Sequence, residues 1–176
     1  VVGGGGREHA IAASLSKSPL TKKLVVAPGN PGIEMFAQCY PIAADDIPGQ
    51  CKLAKDISAD FVFIGPEIPL VLGLKDELLK LGISAFGPSK KAAQLEGSKT
   101  FSREFCKRHN IPQPKFKYCT DIETAKKQIE LLNGYCVVKA DGLAAGKGVV
   151  VCDKVNQAII AATEMLENNK FGEAGK

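Results

Sequence analysis

The sequence predicts an α/β fold built on a parallel sheet, and two features of its first half carry that prediction. Short unbroken apolar runs (Val1-Val2, Leu24-Val25-Val26-Ala27, Phe61-Val62-Phe63-Ile64 and Ser84-Ala85-Phe86) alternate with stretches whose apolar residues recur at helical spacing. Each run is closed by glycine or proline: Gly3 to Gly6, Pro28-Gly29-Asn30-Pro31-Gly32, Gly65-Pro66 and Gly87-Pro88. Strands that do not alternate apolar with polar are buried on both faces, as in a parallel sheet covered by helices. Ligands of such sheets sit at the carboxyl ends of the strands, so these turns are where function is expected.

The elements follow in order. A helix is expected from about Arg7 to Ser18. Ile47, Cys51, Ala54 and Ile57 mark a second, and residues 71–81 a third. A new unit begins near Glu96-Gly97-Ser98-Lys99, which divides the chain into residues 1–97 and 98–176. In the second unit a helix over residues 99–109 carries Phe101 and Phe105 on one face, and Pro112 and Pro114 stiffen the connector after it. A strand is expected near Phe116 to Tyr118, then a helix marked by Ile122, Ala125, Ile129 and Leu132. The runs Cys136-Val137-Val138-Lys139 and Val149-Val150-Val151 flank a glycine-rich loop and read as a hairpin, followed by a helix with Val155, Ile159, Ala162 and Leu166.

Composition excludes several classes. The 176 residues are 45% hydrophobic and 24% charged, which is globular rather than disordered. The net charge of +4 is spread over lysine pairs, and there is no Trp to serve as a stacking platform, so no nucleic-acid partner is expected. No apolar stretch approaches a membrane span. The six cysteines form no Cys-x-x-Cys pair, and neither His9 nor His109 has metal-ligand spacing to them. They read as buried free thiols of a cytoplasmic protein. The opening Val1-Val2 and the polar close, Phe171 to Lys176, look like cuts in a longer protein.

Two motifs carry chemistry. Gly3-Gly4-Gly5-Gly6-Arg7-Glu8-His9-Ala10 turns from a strand into a helix and offers backbone N–H groups to an anion, with Arg7 adding charge. It is not a dinucleotide fingerprint. The third glycine of G-x-G-x-x-G would fall at Glu8, and the acidic ribose ligand expected after the second strand is replaced by Ala27-Pro28-Gly29. His9 reads as structural. The second motif runs from Val137 to Val149. It is not a P-loop, because Asp141 and Gly148 stand where that motif needs glycine and a hydroxyl. A glycine- and alanine-rich loop between two strands can nevertheless cover a polyphosphate. Lys139 and Lys147 would neutralise it, and a Lys139 buried at the end of its strand would need an anionic partner.

These motifs, with Ala27 to Gly32, Gly65 to Leu70, Phe86-Gly87-Pro88 and Ala92 to Lys99, appear in the order found in glycinamide ribonucleotide synthetase. The chain resembles the N-terminal portion of that family of ATP-grasp ligases. The resemblance implies a Rossmann-like, pre-ATP-grasp domain followed by the first part of an ATP-grasp domain. It also implies an activity in de novo purine biosynthesis: ligation of glycine to 5-phosphoribosylamine through an acyl phosphate, with ATP cleaved to ADP and phosphate. ATP phosphates would meet Lys99 and Lys139, under a mobile lid of Gly142, Leu143, Ala144, Ala145, Gly146, Lys147 and Gly148. Gly5, Gly6, Arg7 and Glu67 would bind the phosphoribosylamine, Glu67 through ribose hydroxyls. The ligands of Mg2+ (or Mn2+), the glycine site and the adenine-binding strand are expected beyond Lys176. No catalytic or metal residue is therefore expected within the chain, and the chain alone is expected to be inactive. The rival readings are another ATP-grasp ligase of purine metabolism, such as an aminoimidazole ribonucleotide carboxylase, and a non-catalytic nucleotide-binding module.

Overall fold

The computed structural model describes residues 1–144, 147–168, 170 and 172. The chain forms two compact units, Val1–Ala93 and Gln94–Lys176.

The first unit is a parallel α/β layer. Its elements in order are β1 (Val2–Gly3), α1 (Gly6–Ser16), β2 (Val25–Pro28), a 3-10 turn (Ile33–Met35), β3 (Gln38–Cys39), α2 (Ile47–Asp56), β4 (Phe61–Phe63), α3 (Glu67–Leu72), α4 (Leu74–Lys80) and β5 (Ser84–Phe86). β1, β2 and β3 pair in parallel, as do β4 and β5, and a parallel bridge from Val2 to Ile64 joins the two groups. The strand order is thus β3-β2-β1-β4-β5, the order of a doubly wound sheet, which reverses direction between β1 and β4. One cluster of buried residues, Val2, Val62, Ile64, Leu74 and Leu78 among them, ties β1 and β4 to α4. Another, of Ala12, Val26 and Ile33, ties α1 to β2.

The expected helix over residues 71–81 is two helices. Gly73 breaks it, taking the left-handed conformation (φ +99°) in which its N–H closes α3 on the carbonyls of Pro69 and Leu70. Pro69 stays within α3 because it lies in the first turn, where no intrahelical N–H bond is lost.

α5 (Lys90–Gly97) carries the chain from the first unit into the second. The second unit contains α6 (Lys99–Arg108), α7 (Ile122–Leu131), β6 (Cys136–Lys139), β7 (Val149–Cys152) and α8 (Val155–Leu166). β6 and β7 form the expected hairpin, antiparallel, with Val138 opposite Val150 and Lys139 opposite Val149. Its inner residues, Cys136, Val138, Val150 and Cys152, pack on Ala125 and Ile129 of α7 and on Ala158, Ala161 and Ala162 of α8. The alanines let the two helices approach each other and the sheet closely.

Two expectations change. Residues 112–119 contain no strand: two prolines remove ladder donors from this connector, and no strand partner is present for it among the described residues. The cysteines are unpaired, but only Cys152 is buried; the other five are half-buried. Among the described residues no helix is long and apolar enough to cross a membrane.

Leu78 is 1% exposed at the centre of the first core. Replacing it with alanine is expected to remove about 2–5 kcal/mol of stability, read as a lower urea midpoint at unchanged slope.

Candidate functional site

The first unit assembles its site where the strand order reverses. The backbone leaves β1 through Gly3 to Gly6 and leaves β4 through Gly65-Pro66 into α3. Glu8 stands between these exits and is only 4% exposed. Its Oε2 accepts the Gly5 N–H at 2.8 Å and its Oε1 accepts Arg7 Nε at 2.9 Å. A buried carboxylate is costly unless it is paired and hydrogen-bonded, and here it is both. Glycine is required around it. A Cβ on Gly3, already at φ +118°, would lie 2.6 Å from Glu8 Cγ, and one on Gly65 would collide with the same side chain. The residue that spoils the dinucleotide fingerprint is therefore the one that the turn is built around.

Glu8 in turn orients Arg7, whose Nη1 donates to Glu67 Oε1 at 2.9 Å. Glu67 is the first residue of α3, so its charge also faces a helix N-terminus. The Arg7 hydrogen bond holds the Glu67 carboxyl below the usual carboxylate range, and its two carboxylate partners, Glu67 first, raise the guanidinium pKa. What this pair contributes to stability is present at neutral pH and is lost as pH falls through the depressed carboxyl pKa. The contribution is small, because Arg7 and Glu67 keep 53% and 45% of their side-chain surface in solvent. Gly5 and Gly6 are exposed, and the space around a Cβ on Gly6 is open. The neighbouring turn is locked on: Asn30 Nδ2 donates to Gly4 O at 2.9 Å, and its Oδ1 accepts the Ile33 N–H at 3.1 Å. All four residues expected to meet the phosphoribosyl substrate thus lie together, Gly5, Gly6 and Arg7 exposed and Glu67 half-buried.

The second unit brings Lys99 to the base of the glycine-rich loop. Lys99 Nζ donates to the carbonyls of Gly142 at 2.9 Å and Asp141 at 3.3 Å. Asp141 fixes this geometry. Its carboxylate accepts the Thr100 N–H at 2.6 Å and the Ser98 hydroxyl at 2.9 Å, while its carbonyl accepts the Lys99 N–H at 3.0 Å. Ser98 caps α6 through the Phe101 N–H. Lys99, Lys139 and Asp141 line one cleft of about 580 Å3; Lys147 and the described loop residues do not line it. Lys139 is exposed, because β6 alternates and places it with Val137 on the outer face. The burial argument for this lysine therefore fails, and its availability to an anion rests on exposure instead. In the loop, the Lys147 N–H donates to Ala144 O and the Ala140 N–H to Gly148 O, both at 2.9 Å. Gly148 is buried, and Leu143 and Ala144 are half-buried. Ala145 and Gly146 lie outside the described residues.

Glu8 and Asp141 were missed as site residues. Glu8 had a signal, since an acidic residue three positions after a helix cap reaches back to the cap N–H. Asp141 had none, because its partners are about forty residues away in the sequence.

A switch-point site on a doubly wound sheet, followed by a unit in which Lys99 meets the base of a glycine-rich hairpin loop and lines a cleft with Lys139, has the arrangement of the front of an ATP-grasp fold. Model matches to the N domain of phosphoribosylglycinamide synthetase over residues 1–96 and to its ATP-grasp (A) domain over residues 97–176 make the family specific. The chain belongs to the phosphoribosylglycinamide synthetase family. It is 46% identical over 177 aligned residues to a phosphoribosylamine–glycine ligase of Haemophilus influenzae, and 47% identical over 175 to one of Caulobacter vibrioides. Each alignment covers 99% of this chain and 41% of the relative. The crystal structure of a phosphoribosylamine–glycine ligase from Thermotoga maritima superposes with a TM-score of 0.77 at 29% identity, over 98% of this chain and 40% of that one. The biotin carboxylase domain of a Hydrogenobacter thermophilus 2-oxoglutarate carboxylase shares the fold at 21% identity, with a TM-score of 0.76 over 98% of this chain and 42% of that one.

Gly65→Ala is expected to displace Glu8 and cost about 1–3 kcal/mol, as overpacking of a filled site does. Gly6→Ala, in an open helical position, is expected to stabilise by about 0.5–1 kcal/mol. Parallel thermal melts of the two variants check the contrast.

Proposed function

We propose that this chain is the front portion of a phosphoribosylamine–glycine ligase, which joins the glycine carboxylate to the amine of 5-phosphoribosylamine and cleaves ATP to ADP and phosphate in de novo purine biosynthesis. The observation that carries the reading is the contact of Lys99 Nζ with the carbonyls at the base of the glycine-rich loop, within a chain of this family.

The proposed roles follow from the donors and acceptors left over. An ammonium has three donors. Two of those on Lys99 are taken by the carbonyls of Asp141 and Gly142, which leaves one for a phosphate oxygen. Lys139, exposed on the lining of the same cleft, supplies the second cation, and the loop that starts at Gly142 is proposed as the lid, with Lys147 closing over the nucleotide. Such cations stabilise the transferring phosphoryl group as negative charge shifts onto its oxygens. In the first unit, Glu67 gives Oε1 to Arg7, its carboxylate also meets its own backbone N–H, and its remaining acceptor capacity is proposed for ribose hydroxyls. Arg7 keeps guanidinium donors for a phosphate, beside the exposed backbone of Gly5 and Gly6.

The reaction is proposed to use Mg2+, but these side chains do not suit a divalent cation. Lys99, Lys139 and Lys147 are cationic, the Asp141 carboxylate is engaged by Ser98 and Thr100, and no group of three or more ligating side chains gathers among the described residues. The metal, like the bound glycine, falls to segments outside this chain. The division at residue 97 is proposed as the functional boundary, because Ser98 opens α6 and begins the phosphate side. Six cysteines with no disulfide suit a cytoplasmic protein.

ADP release from the full-length protein, given ATP, magnesium, glycine and fresh phosphoribosylamine, tests the reading. Turnover with all four and none without glycine is expected, and the 176-residue chain alone is expected to show none; a full-length protein without glycine-dependent turnover overturns the reading. In the full-length protein, Lys139→Ala is expected to lower kcat/KM for ATP by about one to two powers of ten, the loss of a charge-assisted contact of about 1.5–3 kcal/mol, with the melting temperature unchanged. Glu67→Gln is expected to raise KM for phosphoribosylamine and leave KM for ATP alone. Equal changes in both constants would assign Glu67 a structural role.

A further inference from the structure

Cys136 and Cys152 stand directly opposite each other in the β6–β7 ladder. The Ala140 N–H donates to Gly148 O, so stepping back by twos puts Val138 and Val150, then Cys136 and Cys152, at hydrogen-bonded positions. Cα atoms of such pairs lie about 5.5 Å apart, within the roughly 4.4–6.8 Å of disulfide-bonded cysteines. Their Cβ atoms, at the wide end of about 4.5–5.5 Å, must draw together to the roughly 3.5–4.5 Å of a disulfide, and Cys152 Sγ must leave the Val150 carbonyl it now donates to. Both side chains point to the inner face, toward Ile129 and Ala158. Each Cys136 and Cys152 thiol is held above the usual range by burial, and Cys136 is pushed further by the nearby Cys152. Cys136 lines the same cleft as Lys99 and Lys139 and Cys152 does not, and neither is assigned a phosphate or ribose contact. A metal is not their purpose, since no group of three or more ligating side chains forms among the described residues.

We propose that Cys136 and Cys152 are a reversible dithiol pair that closes to an intramolecular disulfide when the protein meets a glutathione-type disulfide, stapling the hairpin at the end away from its glycine loop. Cys136 is half-buried and reacts first; Cys152 is 4% exposed and resolves. The Cys136 thiolate attacks one sulfur of oxidised glutathione, forming a mixed disulfide and releasing one glutathione thiolate. The Cys152 thiolate then attacks the Cys136 sulfur and expels the second. Two protein thiols are oxidised, one glutathione disulfide is reduced, and the two protons end on the released glutathiones. With both thiols above the ordinary value near 8.5, closure is slow at neutral pH and accelerates as pH rises. Cys119 packs against the same cluster and is the competitor.

The test is to incubate the native chain with oxidised glutathione over a pH series, quench with acid, and map peptides without reduction. The expected product is a 136–152 link, lighter by two hydrogens, formed faster at higher pH, raising the melting temperature and reversed by dithiothreitol. Cys152→Ser should trap glutathione on Cys136, and Cys136→Ser should give no link. A Cys119 link in place of 136–152, a glutathione adduct on Cys136 that never resolves in the unsubstituted chain, or closure equally fast in urea would each overturn the proposal.

Discussion

A carboxylate placed between the exits of two parallel strands needs compensation, and much of the first unit's site is that compensation. Glu8 lies at the strand-order reversal with almost no access to water. The Gly5 N–H and Arg7 Nε satisfy it. Gly3 and Gly65 are glycines because their Cβ atoms would occupy its space. With Glu8 satisfied, Arg7 has its Nε committed and its Nη1 aimed at Glu67. The polar groups facing solvent are the half-exposed Glu67 carboxylate, the remaining guanidinium donors and the exposed backbone around Gly6. One buried charge thus sets the geometry of the exposed ones, and a site fixed in this way requires little reorganisation when a ligand binds.

The second unit solves a related problem with a half-buried carboxylate. A helix start has N–H groups without intrahelical partners, and a loop base has carbonyls without strand partners. Asp141 serves both, its carboxylate to the start of α6 and its carbonyl to Lys99. Lys99 gains a fixed position from the contact. The loop gains an anchor before its first glycine, and the Ala140–Gly148 and Lys147–Ala144 bonds hold its far side.

What the sequence revealed follows from the range of the interaction responsible. Strands β2, β4 and β5 were legible because each is a short run closed by glycine or proline, although Phe61 of β4 and Phe86 of β5 stay exposed, and the hairpin because two apolar runs flank a glycine loop. Residues Gly5, Gly6, Arg7 and Glu67 were grouped by the resemblance to the family, and they do lie together, because turns after parallel strands converge on one edge of the sheet. The break at Gly73 was not, because only the backbone conformation distinguishes a capping glycine from a tolerated one. β3 was missed because two residues carry no period. Residues 116–118 looked like a strand from local composition, yet a strand needs a partner, and partners are set by tertiary structure. The exposure of Lys139 depended on the phase of β6, which its four residues alone do not fix.

That phase is also what divides the hairpin's two surfaces. Cys136 and Val138 point inward and Val137 and Lys139 outward, and β7 repeats the pattern with Val150 and Cys152 inward. A register slip of one residue would exchange the faces, burying Lys139 among alanines and exposing the thiols. The inner packing against α7 and α8 makes that exchange costly, because it would bury an unpaired ammonium where Val138 and Val150 now fit. The apolar inner face therefore does more than hold two helices. It keeps the outer lysine on the cleft lined by Lys99, and it keeps the two sulfurs opposite each other, so the phosphate chemistry and the thiol chemistry of this hairpin depend on the same alternation.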